Sequence, residues 1–66
     1  MKVWINGEAA EVYGLANVSE LAAHYDLQPN TVLIEHNGVA LHQREWPQRL
    51  LAEGDQIEFV RVVAGG

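Results

Sequence analysis

Two Asn-Gly pairs restrict the folds open to this 66-residue chain more than any other feature. Asn6-Gly7 and Asn37-Gly38 each follow a short apolar or β-branched run, and this dipeptide is typical of a two-residue hairpin turn that needs positive φ. The sequence therefore predicts two β-hairpins. The predicted strands flank the two turns, at residues 2–5, 8–12, 31–36 and 39–41.

A single helix is predicted between the hairpins. Asn17, followed three residues later by Glu20, resembles a capping box at a helix start. The apolar residues that follow recur at helical spacing: Val18, Leu21, Ala22 and Tyr25. We expect the helix to end near Asp26, because Pro29 prevents its continuation.

The last part of the chain predicts an irregular turn and then a buried strand. Residues 44–51 contain Pro47 and show no strand pattern, so we expect Trp46, Leu50 and Leu51 to cap the core from this turn. Residues 56–63 are rich in β-branched residues and predict a central strand, parallel to the first strand. This order predicts an α+β fold of the β-grasp type: one domain over residues 1–66, with a mixed sheet of about five strands and one main helix across it.

Alternation along the strands assigns side chains to the two faces of the sheet. Val3 and Ile5 should be buried, which leaves Trp4 on the opposite face, either as a partner contact or covered by the chain's own loops. His36 is expected on the inward face of its strand, as a core histidine bonded to a backbone carbonyl. Leu33 and Glu35 should face the other way.

Composition excludes several classes of function. Nine acidic and four basic residues give a net charge of −5, which argues against nucleic acid and favours a basic protein surface as partner. The chain has no cysteine, so it offers neither a disulfide nor a thiolate ligand. There is no long apolar run, so we expect a soluble, cytoplasmic protein without membrane contact.

Side chains with the pattern of a catalytic or metal site are not found in the sequence. The three histidines, His24, His36 and His42, are spaced like no common metal-ligand motif. No nucleophile with a plausible base can be assembled. We therefore expect no metal and no bound cofactor, and a protein that is not an enzyme by itself.

The C-terminal residues Ala64, Gly65 and Gly66 are the candidate functional group. Glycine lacks Cβ, so we expect residues 64–66 to form a flexible tail that can enter a narrow channel in a partner. The carboxylate of Gly66 is a latent electrophile that needs activation through a good leaving group. Glu58 and Val60, on the outward face of the last strand, together with Trp4, are the predicted partner contacts.

Residues 33–66 closely resemble the thiamine-biosynthesis sulfur carrier (ThiS) family. The similarity lies in the Asn-Gly turn, the apolar return strand, the Glu45-Trp46 dipeptide, the Leu51-x-x-Gly54-Asp55-x-Ile57 pattern and the Gly-Gly end. His36 departs from the family pattern, in which an aliphatic residue is common. The resemblance implies a ubiquitin-like β-grasp fold.

The resemblance also implies a reaction sequence in which other proteins supply the catalysis. A ubiquitin-activating-type enzyme would use ATP and magnesium to adenylate Gly66. Sulfur derived from cysteine, for example through a cysteine desulfurase, would displace AMP and leave a thiocarboxylate. Thiazole synthase would then accept that sulfur.

Three alternatives remain open from the sequence. The small subunit of molybdopterin synthase shares the fold, the Gly-Gly end and the thiocarboxylate. A ubiquitin-like protein modifier would use the same activation step and then join Gly66 to lysines. A plain interaction module would not need its tail.

Overall fold

A computed structural model describes residues 1–62 and contains five strands and one α-helix in the predicted order. The elements are β1 (Lys2–Ile5), β2 (Glu8–Glu11), α1 (Val18–His24), β3 (Val32–His36), β4 (Val39–Leu41), a 3₁₀ segment (Gln43–Gln48) and β5 (Gln56–Arg61). The prediction of an α+β fold is confirmed, whereas the predicted strand end at Val63 lies outside the described residues.

The five strands form one mixed sheet in the order β2-β1-β5-β3-β4. Strand β5 lies at the centre, parallel to β1 and antiparallel to β3, as predicted. Both Asn-Gly turns form, with Asn6 at φ 50° and Asn37 at φ 51°. Each turn joins an antiparallel pair, β1 with β2 and β3 with β4, so β5 connects two hairpins.

Helix α1 begins at the predicted cap and is followed, two residues after its end, by a residue in the left-handed conformation. Asn17 Oδ1 accepts the Glu20 amide at 2.8 Å, while Glu20 Oε1 accepts the amide of Ala16 at 2.7 Å, one residue before the cap. At the other end Asp26 has φ 57°, and the Leu27 amide bonds the Ala22 carbonyl at 2.9 Å. This 6→1 hydrogen bond is that of a Schellman motif, so local hydrogen bonding ends the helix before Pro29 is reached.

The core lies between α1, the 3₁₀ segment and one face of the sheet. Its buried apolar side chains are Val3, Val12, Val18, Leu21, Ala22, Val32, Ile34, Leu41, Trp46, Leu51 and Ile57. Partly buried Ile5 and Phe59 pack against this cluster. The inward faces predicted for β1 and β3 are therefore confirmed.

The prediction for Leu50 is wrong, because its side chain is 69% exposed. The 3₁₀ segment ends at Gln48, and Leu50 then pairs with Asn17 in an isolated antiparallel bridge. Extended backbone turns successive side chains to opposite sides, so Leu51 enters the core and Leu50 faces away from it. Trp46 is buried as predicted.

Candidate functional site

Strand β5, which leads to the C-terminal residues, is held on both sides by the asparagines of the two hairpin turns. Asn6 Oδ1 accepts the Phe59 amide at 2.9 Å, and Asn37 Oδ1 accepts the Gln56 amide at 2.8 Å. The sequence predicted both turns but not these two bonds. The Asn-Gly motif signals the local turn, whereas the partner amides come from a strand distant along the chain.

A buried polar cluster anchors the turn from which β5 starts. Asp55 Oδ2 accepts the Ala52 amide at 2.8 Å and lies 2.7 Å from His36 Nε2, while Asp55 Oδ1 accepts a hydrogen bond from Asn37 Nδ2 at 3.1 Å. Burial alone would raise the pKa of Asp55, but the hydrogen bonds from His36, Asn37 and Ala52 outweigh it and hold the pKa below its ordinary value of 3.8. Asp55 is therefore a carboxylate inside the fold at neutral pH.

His36 connects Asp55 to Arg49. Arg49 Nε, which can only donate, lies 2.8 Å from His36 Nδ1, so Nδ1 accepts and Nε2 carries the proton that it donates to Asp55. The inward orientation of His36 is confirmed, but the expectation of a backbone carbonyl partner is wrong. A carboxylate and a guanidinium, both brought in from the turn before β5, take both ring nitrogens.

The outward face of β5 carries two of the predicted contact residues, and β3 places two further side chains beside them. Glu58 pairs directly with Glu35, and Val60 pairs directly with Leu33. Val60 is 47% exposed and Leu33 is 58% exposed, so an apolar pair lies next to an acidic pair. We call these four residues, Leu33, Glu35, Glu58 and Val60, the outer patch.

Trp4 lies on the same outward face, further from the C-terminal end of β5. It pairs with Gln56 of β5, two residues before Glu58, and remains 38% exposed. The Lys2 ammonium lies 5.2 Å from the centroid of the indole ring, within range of a cation–π contact. The structure thus brings all three predicted contact residues to one face, and their role as contacts stays a prediction.

The end of β5 leads towards the candidate functional group. The Val62 amide bonds the Thr31 carbonyl at 2.9 Å, which continues the pairing with β3 by one residue beyond Arg61. Ala64, Gly65 and Gly66 lie outside the described residues, and so does the predicted tail that they form. Thr31 and Val62 are therefore the last pair of the described sheet before residues 63–66, and the Leu33–Val60 pair of the outer patch lies two positions further back.

Residues 1–62 contain neither a metal-binding cluster nor a ligand cavity. No group of three or more His, Asp or Glu side chains in this part of the chain is arranged to hold a metal ion. In the same residues no ligand-sized cavity is present. None of the described helical residues forms a helix long and apolar enough to cross a membrane.

Comparison with known protein families shows which family the chain belongs to. The profile of the ThiS family matches residues 3–66, which include all of β1 except Lys2, the outer patch and the terminal glycines. The chain belongs to the ThiS family. The resemblance noted in the sequence is confirmed.

Solved structures of ThiS proteins share the fold of this ThiS chain. The crystal structure of a thiamine biosynthesis protein (ThiS) from Geobacter metallireducens has a TM-score of 0.83 and 32% sequence identity, with complete coverage of both chains. An NMR structure of a thiamine biosynthesis protein from the same organism has a TM-score of 0.82 and 30% identity, covering 100% of this chain and 88% of that one. A curated relative, the uncharacterised protein ycf40 of Trieres chinensis, is 25% identical over 63 residues, or 96% of this chain and 86% of its own.

Proposed function

We propose that this ThiS chain is a sulfur carrier in thiamine biosynthesis and that the carboxyl group of Gly66 carries the sulfur. The observation that supports this most directly is the family match, which runs through the last glycine rather than ending with the sheet. The central position of β5 adds a physical reason, because pairing on both sides of this strand fixes the part of the fold that comes just before residues 63–66 in the sequence.

Activation of Gly66 takes place on a partner, since a bare carboxylate has no adequate leaving group. A ubiquitin-activating-type enzyme that binds ATP and magnesium joins the Gly66 carboxylate to AMP and releases pyrophosphate. The terminal sulfur of a persulfide, formed by a cysteine desulfurase, then attacks the acyl carbon, and AMP leaves. A thiol reduces the resulting acyl disulfide, which frees the thiocarboxylate and a new disulfide.

The thiocarboxylate is the form that thiazole synthase uses. Its sulfur is transferred into the thiazole ring of thiamine, and the chain returns to the carboxylate state. In this cycle the chain supplies a substrate group and the partners supply the catalytic groups, so it acts as a carrier rather than as an enzyme.

The outer patch and Trp4 are proposed as the surface that the activating enzyme contacts. Glu35 and Glu58 are like charges directly opposite each other across two strands, an arrangement that weakens a sheet. A basic group on the partner would relieve this repulsion, and the exposed Leu33–Val60 pair next to it would bury apolar area. The net charge of −5 would steer the chain towards such a surface.

The test is the intact mass of the protein purified from its own host, together with adenylation in vitro. A carrier is recovered in part with one terminal oxygen replaced by sulfur. The unmodified chain should support ATP–pyrophosphate exchange by the activating enzyme, whereas deletion of Gly66 should abolish it. Deletion moves the carboxylate back by roughly 3.5 Å, which is enough to prevent in-line attack on a phosphate. Exchange at the parent rate after deletion would refute the proposal.

Identification of co-purifying proteins separates the carrier from related functions. Co-purification of thiazole synthase would support the proposal. Co-purification of the large subunit of molybdopterin synthase would instead assign the chain to molybdopterin synthesis. Gly-Gly remnants on lysines of other proteins would show a protein modifier instead.

A further inference from the structure

This inference rests on the proposed function. The small number of residues between Val62 and the Gly66 carboxylate limits how far from the end of β5 the activating enzyme can bind. Four residues follow Val62, and four residues in extended conformation span at most about 14 Å. An enzyme that binds the Gly66 carboxylate next to ATP, below its own surface, must therefore press that surface against the end of β5. Both faces of the sheet at this end then come within contact distance, and not only the outer patch.

On the helix side of this end lies Tyr25. Its ring meets Phe59 of β5 in an edge contact, with centroids 5.8 Å apart and planes at 60°. Phe59 is two residues before the end of β5 at Arg61, or about 7 Å along the strand. Phe59 faces the core, so Tyr25 lies on the opposite side of the sheet from Glu58 and Val60.

Tyr25 has a hydrogen-bonded backbone and two aromatic neighbours, although the residue is 39% exposed. Its amide bonds the Leu21 carbonyl at 3.2 Å, and the Schellman motif that follows fixes the backbone. A second edge contact, with His24, has centroids 5.1 Å apart and planes at 88°. A fixed aromatic ring loses little conformational entropy when a partner covers it, and tyrosine offers both apolar area and a hydroxyl donor.

The second tyrosine provides a contrast within the same chain. Tyr13 is 79% exposed and follows β2, whose residue Glu11 pairs with Lys2 at the start of β1. Since β1 runs parallel to β5, Tyr13 lies at the end of the sheet opposite to the C-terminal end of β5. It is more exposed than Tyr25 and lacks the position that the reach of the last four residues demands.

We propose that Tyr25 forms the second half of the docking surface for the activating enzyme, so that the enzyme holds the end of β5 from both faces. The partner surface that fits is an apolar patch with one hydrogen-bond acceptor for the tyrosine hydroxyl. It lies at the rim of the channel that receives Gly66, across β5 from the basic group expected at Glu58. Tyr25 contributes affinity and orientation and takes no part in the transfer of AMP.

Hydroxyl-radical footprinting of the unmodified chain tests this without mutation, because the chain has only two tyrosines. The chain is oxidised alone and in complex with the activating enzyme and magnesium ATP, and each tyrosine is quantified by mass spectrometry. Oxidation of Tyr25 should fall several-fold in the complex while that of Tyr13 stays the same. Undiminished oxidation of Tyr25 in a complex shown to be saturated would overturn the inference.

Three variants test the contribution to affinity. In ATP–pyrophosphate exchange, Tyr25→Ala should raise the KM for the carrier about tenfold with kcat within about twofold. Tyr25→Phe should keep most of the affinity, because the ring provides most of the contact area, and Tyr13→Ala should match the parent. An unchanged KM for Tyr25→Ala would refute the role of Tyr25. If Tyr25→Ala does not fold, the footprint decides.

The parent and the Gly66 deletion are measured in the same assay to keep the two proposals apart. A parent chain that is never adenylated would overturn the proposed function and this inference with it. This inference alone would be overturned by a different result. In that result the parent is adenylated and the Gly66 deletion is not, while Tyr25→Ala has the same KM as the parent.

Discussion

Oδ2 of Asp55 lies 2.7 Å from Nε2 of His36, and both side chains are buried where β5 begins. The same oxygen accepts the Ala52 amide, so one carboxylate closes the turn and binds it to β3. The turn before β5 is therefore held by an ionised group, and its stability must depend on pH.

Acidification should destabilise the fold through Asp55. Its folded-state pKa lies below the ordinary value of 3.8, so its contribution to stability is fully present above that value and is lost as the pH falls through the lower folded pKa. Urea unfolding from about pH 6 to about pH 2 should show the free energy of unfolding decreasing in the acid part of this range. Asp55→Asn should be less stable at neutral pH and should lose less on acidification. An equal acid loss in variant and parent would show that other carboxylates are responsible.

The same substitution should destabilise the fold at one turn asparagine and be nearly neutral at the other. Asn6 uses only its oxygen, on Phe59, whereas Asn37 also donates from Nδ2 to Asp55. Asn6→Asp keeps the acceptor and should change the free energy of unfolding by less than about 0.5 kcal/mol. Asn37→Asp sets a second carboxylate against Asp55 and should cost about 2 kcal/mol. Denaturant unfolding of both variants at neutral pH measures the difference, and equal losses would contradict it.

Trp46 should tolerate loss of its indole N–H but not loss of its ring. Its Nε1 is buried and has no hydrogen-bond partner among residues 1–62. Trp46→Phe removes this unsatisfied donor, which offsets part of the lost volume, so the free energy of unfolding should fall by less than about 2 kcal/mol. Trp46→Ala leaves a cavity and should cost about 3–5 kcal/mol. Thermal melts and urea titrations provide both values; a phenylalanine variant as unstable as the alanine variant would be contrary to this prediction.

Charge reversal at Glu58 should stabilise the fold and slow binding. Glu58→Lys replaces the repulsion with Glu35 by a cross-strand attraction, worth about 0.2–1 kcal/mol. The same change opposes a basic partner surface, so association with the activating enzyme should be slower and less sensitive to salt. Stopped-flow association at several salt concentrations, beside thermal melts, records both effects.

Glu11→Lys is the matched control, since it makes the same change in net charge at the end of edge strand β2, opposite Lys2 and away from the C-terminal end of β5. If both variants slow association equally, the overall charge of the chain governs binding rather than the outer patch.

Local signals in the sequence were enough for most of the fold. Asn6, Asn37 and Asn17 act on neighbouring residues, so their turns and cap were predictable. The position of Leu50 was not, because the residue at which the 3₁₀ segment gives way to extended backbone depends on pairing with Asn17. If the extended segment began one residue earlier or later, each of its side chains would point to the opposite side.

The sequence predicted the outward-facing residues of the candidate site but not the side-chain contacts that hold β5 in place. Alternation along β5 was sufficient to orient Glu58 and Val60. The partners of His36 could not be read from the sequence, since Asp55 and Arg49 approach it only after the turn before β5 has folded back onto β3. Tyr25 looked like one more apolar position on the helix, and only its contact with Phe59 places it near the end of β5.

The central position of β5 has a consequence for how the chain assembles. Hairpin β1-β2 and hairpin β3-β4 are not adjacent in the sheet, so neither can complete the other before β5 inserts between them. The pairing of Trp4 with Gln56 closes a loop of nearly the whole chain, a step that carries a large entropic barrier and slows folding. Without β5 the two hairpins share no strand pairing, and an isolated two-stranded hairpin is marginally stable at best. The five-stranded sheet is complete only when β5, the last strand in the chain, is in place.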